Sequence, residues 1–191
     1  DSYAIDESNL RRQELVADAF ASATRELLDP LSFPEGADVL DVGCGIGWTT
    51  RHLRDALPRP ARVVGLDANA DLLEVAGDRT QQDGAVRLTY REGDAEDLPF
   101  GEDSFDIVFA RYLLTHLPNP VRALREFRRV CREEGTVVVQ EGDFASTGTW
   151  PPLSALERIM DLYEAVYDTK MGRKTWGLFR EAGIEEPQVR A

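Results

Sequence analysis

Three glycines at alternate positions, preceded by an acid, are the first residues of this chain whose types and spacing could do chemistry: Asp41-Val42-Gly43-Cys44-Gly45-Ile46-Gly47. Glycine permits positive φ and lets backbone approach a ligand, and the free amides that open a following helix attract an anionic group. One or two glycines would suffice for a turn alone. Asp67 lies 20 residues beyond Gly47. A carboxylate at that spacing, closing the next strand, accepts from both hydroxyls of a ribose; hydrogen bonds to a charged group contribute roughly 1.5–3 kcal/mol each. Asp67 and Asn69 are also placed to cap the next helix. Asp94 and Glu96, then Arg111, then Glu141 recur further along.

These residues share one location only if the segments before them are parallel strands. Residues 7–28 carry Leu10, Val16, Phe20, Ala23 and Leu27 at helical spacing until Asp29-Pro30. Strand-like segments follow at 37–42, 61–67, 86–91, 105–110 and 136–141. Helical ones lie between them at 48–57, stopped by Pro58; 70–82, with Gly84 turning out; and 120–132. Such alternation, with strands nearly continuous in Val, Ile and Leu, predicts an α/β fold: a Rossmann-like, doubly wound, mostly parallel sheet with helices on both faces. Ligands of such sheets bind outside the carboxyl ends of the strands, near the reversal of strand order. Those ends are Asp41, Asp67, Asp94 with Glu96, Arg111 and Glu141, so four of the five carry a carboxylate.

An acidic cleft suits a cationic ligand, and the whole chain is acidic: 22 Lys and Arg against 35 Asp and Glu give a net charge of −13. That field repels phosphate backbones and anionic lipid surfaces, so neither nucleic acid nor membrane is an expected partner. With 42% hydrophobic and 30% charged residues, 191 residues fit one globular domain, not a disordered chain. Cys44 and Cys131 have neither disulfide-framework nor metal-ligand spacing, so no metal and a reducing, cytoplasmic setting are expected.

The nucleoside is then either part of a dinucleotide or a sulfonium nucleoside. A pyrophosphate at the glycine turn would be repelled by Asp41, and the spacing is G-x-G-x-G, not G-x-G-x-x-G. S-adenosylmethionine (SAM) carries a sulfonium and an ammonium against one carboxylate. Electrostatics favours SAM as the cofactor.

The stretch Val39-Leu40-Asp41-Val42-Gly43-Cys44-Gly45-Ile46-Gly47 resembles the first motif of the class I SAM-dependent methyltransferases. Val63-Val64-Gly65-Leu66-Asp67, Gly93-Asp94-Ala95-Glu96-Asp97-Leu98-Pro99-Phe100, Ser104-Phe105-Asp106-Ile107-Val108 with His116-Leu117-Pro118-Asn119-Pro120, and Gly135-Thr136-Val137-Val138-Val139 continue the family's order over residues 10–142. The chain is similar to the small-molecule branch that includes the ubiquinone and menaquinone enzymes. The resemblance implies that Asp41 and Gly43 face the methionine end of SAM, with Cys44 in the turn and Gly45 and Gly47 making room. It implies that Asp67 holds the ribose, that Ala68 and Asn69 flank the adenine, and that Asp94, Ala95 and Glu96 form the adenine loop. Arg111, a departure from the small or polar residue often found there, would lie near the methionine, its carbonyl facing the ammonium. Tyr3 and Gln13 would close over the cofactor from an N-terminal helical lid, residues 1–30. Complete members finish the sheet with an antiparallel hairpin. The chain lacks a starting Met, and a strand is expected to begin near Gln188, so the C-terminal strands are expected beyond Ala191 in a longer product; an exposed sheet edge would invite self-association.

The implied activity is methyl transfer to a small-molecule acceptor by in-line displacement, at carbon, nitrogen or oxygen. His116 and Glu141 are the leading candidates for a proton acceptor or substrate contact, with Tyr112 and Asp143 behind them. The segment 142–175, outside the β-α rhythm of the 37–141 core, places Leu153, Leu156, Ile159, Met160, Tyr163 and Tyr167 at helical spacing and is either a substrate cap or an ordinary packing helix. Residues 173–182 add one more crossover helix, capped by Gly183. A NAD-dependent oxidoreductase and a non-catalytic SAM-binding protein are the competing readings.

Overall fold

The computed structural model describes residues 7–29, 34–56, 62–80, 86–149 and 151–189. Tyr3, Pro30, Leu57, Pro58, Ala61, Gln82 and Gly84, all invoked above, lie outside them. Among the described residues, no helix is long and apolar enough to cross a membrane.

Five strands, β1 (Asp38–Val42), β2 (Arg62–Asp67), β3 (Arg87–Glu92), β4 (Phe105–Arg111) and β5 (Cys131–Gln140), form one sheet in the order β3-β2-β1-β4-β5. All four pairings are parallel. Alternate residues divide cleanly between the two faces, as the period of two requires. Leu40, Val42, Val64, Leu66, Val108 and Ala110 belong to one buried cluster; Val39, Val63, Ile107, Phe109, Leu88 and Val138 belong to the other. Helices α5 (Pro120–Val130) and α7 (Met171–Glu181) cover the first face, and α2 (Ala21–Leu28) and α3 (Trp48–Ala56) cover the second. Helix α4 (Ala70–Asp78) links β2 to β3, with Asn69 as its N-cap accepting from the Asp71 and Leu72 amides. Helix α6 (Ser154–Glu164) stands apart and buries no residue.

Several boundaries differ from expectation, among them that of α4, expected to run to 82 and ending at Asp78. The helix predicted over 7–28 is two, α1 (Glu7–Ala19) and α2, broken at Phe20, whose ring turns in against Tyr112 with centroids 5.2 Å apart. The helix predicted over 120–132 stops at Val130, because Cys131 already pairs with Phe105; the ladder resumes at Thr136 opposite Ile107 after an irregularity. Residues 132–135 are therefore a bulge in the strand, not a helix end. The strand expected from Gln188 is absent at Gln188 and Val189.

Strand order reverses between β1 and β4, which opens a cleft at their carboxyl ends. The glycine turn that leaves β1 there has φ of 72°, 52° and 71° at Gly43, Gly45 and Gly47. At Gly47 a Cβ would also lie 2.3 Å from Tyr90 Oη and 2.9 Å from Ala76 Cβ. Gly47→Ala should therefore lower stability by about 2–4 kcal/mol, combining left-handed strain with overpacking, seen as a drop of about 5–15 °C in Tm. Gly77→Ala, in a helical site with nothing within 4 Å, should leave Tm unchanged or slightly raised.

Candidate functional site

The glycine turn is fastened to the end of β2. Leu66 O accepts from the Gly43 and Cys44 amides at 2.7 and 3.0 Å, and the Asp67 carboxylate accepts from Gly45 N at 2.8 Å and Asn69 N at 2.9 Å. Asp67 uses one bond per oxygen in this way, which leaves each oxygen further lone pairs toward the cavity. At Gly45 a Cβ would meet only Gln13 Oε1, at 3.3 Å, so the turn backbone is bare where the cavity reaches it. Asp94 turns its Oδ1 to the Glu96 amide at 2.8 Å and, with the buried Ala95, forms the next stretch of wall.

This cavity has a volume of about 540 Å³, within the range of small-molecule sites. Gly43, Cys44, Gly45, Asp67, Ala68, Asn69, Asp94 and Ala95 line one half of it. Helix α1 closes that half from above through Gln13 and Val16, held by Glu14 paired with Arg79 at 2.8 Å and by Trp48 Nε1 donating to Asp18 at 3.1 Å. The other half is a belt of rings. Phe20, Tyr112, Phe144, Tyr163, Tyr167 and His116 follow one another with centroids 4.9–6.2 Å apart, and all line the cavity. Tyr112 has φ of 51°, and its amide donates to Gln140 O at 2.8 Å. Arg111 sits where the two halves meet, its guanidinium over the Trp48 ring at 4.9 Å.

The match to known proteins agrees with this geometry. Residues 40–139 match the model of the methyltransferase domain family. The chain belongs to that family. An uncharacterised protein of a Streptomyces fradiae transposon is 32% identical over 189 residues, covering 96% of this chain and 54% of that protein. Methyltransferase GfsG of Streptomyces halstedii is 35% identical over 127 residues, 66% of this chain and 45% of GfsG. A demethylmenaquinone methyltransferase of Lactiplantibacillus plantarum is 36% identical over 118 residues, 61% of this chain and 50% of that enzyme. The chain spans about half the length of the curated relatives it matches. Among solved structures, a SAM-dependent methyltransferase from Aquifex aeolicus shares the fold, with a TM-score of 0.72 at 18% identity over 97% of this chain and 92% of that one.

Family membership decides between the nicotinamide and sulfonium readings in favour of SAM. The residues present fit that cofactor: a bare glycine turn, an acid at the end of β2 with lone pairs to spare, and a second acid on the neighbouring strand end.

Several expected site residues are placed elsewhere. Asp41, 1% exposed, points away from the cavity into the packing beneath the turn, where its Oδ2 accepts from Thr50 Oγ1 at 2.7 Å; burial pushes its pKa up to about 7. Gly47 makes room for Tyr90 and Ala76, not for a ligand. Glu96 accepts from Asn119 N at 2.7 Å and so ties the Asp94 turn to the start of α5. Glu141 lies behind the wall. Its Oε1 accepts from Leu114 N at 2.6 Å, its Oε2 is buried without a hydrogen-bond partner, and burial raises its pKa to about 7. Asp143 is engaged by Arg173 at 2.6 and 3.0 Å. Phe20, Trp48 and Phe144 line the cavity without having been expected at the site; of the other belt residues, His116 and Tyr112 were expected as proton acceptors, and Tyr163 and Tyr167 lie four apart on the apolar stripe of 142–175.

Glu141 gives stability a pH dependence. Its pKa in the folded chain lies above the ordinary glutamate value of 4.5, so the folded state retains a proton that the unfolded state has lost. The stabilisation is complete below about pH 4.5 and is lost as pH rises to about 7, for a total on the order of 3 kcal/mol. Asp41 acts in the same sense. Glu141→Gln should leave stability near pH 4.5 almost unchanged and exceed wild type at pH 8, flattening the profile of denaturant-melt free energies against pH.

Proposed function

We propose that the chain transfers the methyl group of SAM to a small-molecule acceptor held in the aromatic half of the cavity. The observation that carries this reading is one continuous cavity whose halves differ in kind: a bare glycine turn with Asp67 and Asp94 on one side, and a belt of six rings on the other. A volume of about 540 Å³ suits small molecules, and a net charge of −13 disfavours nucleic acid.

SAM, when bound, supplies a methyl group on a sulfonium that is already a good leaving group. The chain's contribution is chiefly alignment, which for well-oriented reactants accounts for roughly 7–11 kcal/mol of a barrier. Asp67 and Asp94 hold the nucleoside end, and the ring belt holds a planar, apolar acceptor face to face with the turn. His116 stands at the end of the belt, edge-on to Tyr167 at 4.9 Å. Although the residue as a whole is exposed, burial of its ring and the nearby Arg12 lower its pKa, so the imidazole is neutral at neutral pH and a ring nitrogen takes the proton of an acidic acceptor. Tyr112, raised by burial, keeps its own proton and serves as wall. Glu141 orients the loop after β4 through the Leu114 amide and does not itself face the acceptor.

The test is transfer of label from radiolabelled SAM to fractionated small-molecule acceptors, with product mass rising by one methyl group; calorimetric binding of S-adenosylhomocysteine without transfer to any fraction would leave a binding protein instead. Asp67→Ala should weaken S-adenosylhomocysteine about 10- to 150-fold, the loss of a charged acceptor. His116→Asn should lower kcat roughly 10²- to 10⁴-fold on an acceptor that must lose a proton while leaving calorimetric S-adenosylhomocysteine affinity within about twofold of wild type.

A further inference from the structure

Arg111 is a charged cavity residue whose side chain the proposed chemistry has not used. It ends β4 directly after Ala110, the register partner of Val42, and so stands beside the start of the glycine turn. Its guanidinium is held by two rings, Trp48 at 4.9 Å and Tyr112 at 5.8 Å, which fix its plane against the cavity wall. A guanidinium has five N–H donors. Among the described residues, the polar partner it meets is Thr24 Oγ1, at 3.4 Å, the long limit of a hydrogen bond. The acid that acts on it electrostatically, Asp41, accepts from Thr50 Oγ1 at 2.7 Å, and among the described residues no ion pair joins it to Arg111. Elsewhere in this chain arginines facing acids close on them: Arg173 on Asp143 through two bonds, Arg129 on Glu126. A largely enclosed, ring-clamped cation with spare donors, opening on a ligand cavity, is built for an anion that arrives with the ligand.

We propose that the Arg111 guanidinium receives the α-carboxylate of the methionine end of SAM. This rests on the methyltransferase reading of the site. The cofactor's nucleoside half carries no anion, and the cavity's acids, Asp67 and Asp94, stand at the ends of β2 and β3, away from Arg111. Asp67 and Asp94 thus stand toward the ribose and adenine and Arg111 toward the amino-acid tail, while the cavity's other arginine, Arg12, donates to Asn9 Oδ1 at 2.7 and 3.2 Å. An acceptor bearing a carboxylate presents the same chemistry, and the experiment separates the two sources because it contains no acceptor.

The measurement is calorimetric affinity of wild type, Arg111→Gln and Arg111→Lys for three ligands: SAM, decarboxylated SAM and 5′-methylthioadenosine. Wild type should bind SAM about 10- to 100-fold tighter than its decarboxylated analogue. Arg111→Gln should erase that preference, losing about 10- to 100-fold on SAM and under threefold on the other two ligands, and Arg111→Lys should restore part of it. Equal wild-type affinity for SAM and the decarboxylated analogue overturns the proposal, as does an equal loss on all three ligands in both variants, the signature of a merely structural residue. So does unchanged SAM binding in Arg111→Gln. The wild-type comparison needs no variant to fold. If wild type binds methylthioadenosine but does not distinguish SAM from its analogue, the inference alone fails; if it binds none of the three, the reading of the whole site fails with it.

Discussion

The carboxylate of Asp67 accepts the amides of Gly45 and Asn69 at once, and most of the cofactor half depends on that double acceptance. It joins the turn after β1 to the turn after β2, so two loops from different strands become one rigid rim. A glycine turn with three left-handed residues has many competing shapes in the unfolded chain, and one charged acceptor, worth roughly 1.5–3 kcal/mol per bond, selects among them. On the proposed reading, the same oxygens retain lone pairs for a ribose. Position and function are thus combined in one side chain: the bonds that hold Asp67 still are the reason it can act on a ligand without first being ordered.

Beneath that rim lies a second carboxylate with the opposite character. Asp41 and Asp67 both end parallel strands, but Asp67 is half-open and bonded to amides, whereas Asp41 is sealed under α3 with a threonine hydroxyl. Burial raises Asp41 to about 7, with Arg111 pulling the other way. Asp41 and Arg111 influence each other electrostatically without closing an ion pair among the described residues, which leaves the guanidinium without a committed carboxylate partner.

How much of this was legible in the chain follows from the range of each interaction. The parallel core was, because continuous Val, Ile and Leu runs have few other folded uses and the register puts their alternate residues on both faces. The acids at strand ends were legible as a set, but not their individual directions. Asp41 shares the face of Val39 and Phe109, the face α3 covers, and the period of two turns it inward; only Thr50, nine residues on, marks that it has a partner there. Glu96 and Glu141 look like cleft acids by position, and their partners, the Asn119 and Leu114 amides, leave no trace in residue type because every amide is alike. The start of β5 was hidden for a related reason: the charged run Arg132-Glu133-Glu134 suits a helix end, and it is the bulge opposite Phe105 that lets it sit in a sheet. The ring belt gathers residues from position 20 to position 167, and no local pattern can announce such a contact.

The two halves of the cavity also differ in how firmly they are built, and the difference suits their tasks. The cofactor half is the end of a sheet whose strands are buried on both faces. The aromatic half leans on α6, which buries no residue; Leu162 in it and Val166 just beyond it are each 70% exposed. Among the described residues the segment that follows it is attached by Thr115 Oγ1 to Asp168 O, Ala145 N to Thr169 O, Gly172 N to Gly142 O, and Arg173 to Asp143 and Ser146, together with the ring contacts. A segment with so few buried apolar contacts opens at low free energy compared with the core. Substitutions there can reshape the ring belt without disturbing Asp67 or the glycine turn, since they share no partners. On the proposed reading, the donor is held by the firmly built part of the molecule and the choice of acceptor falls to the part that opens more easily.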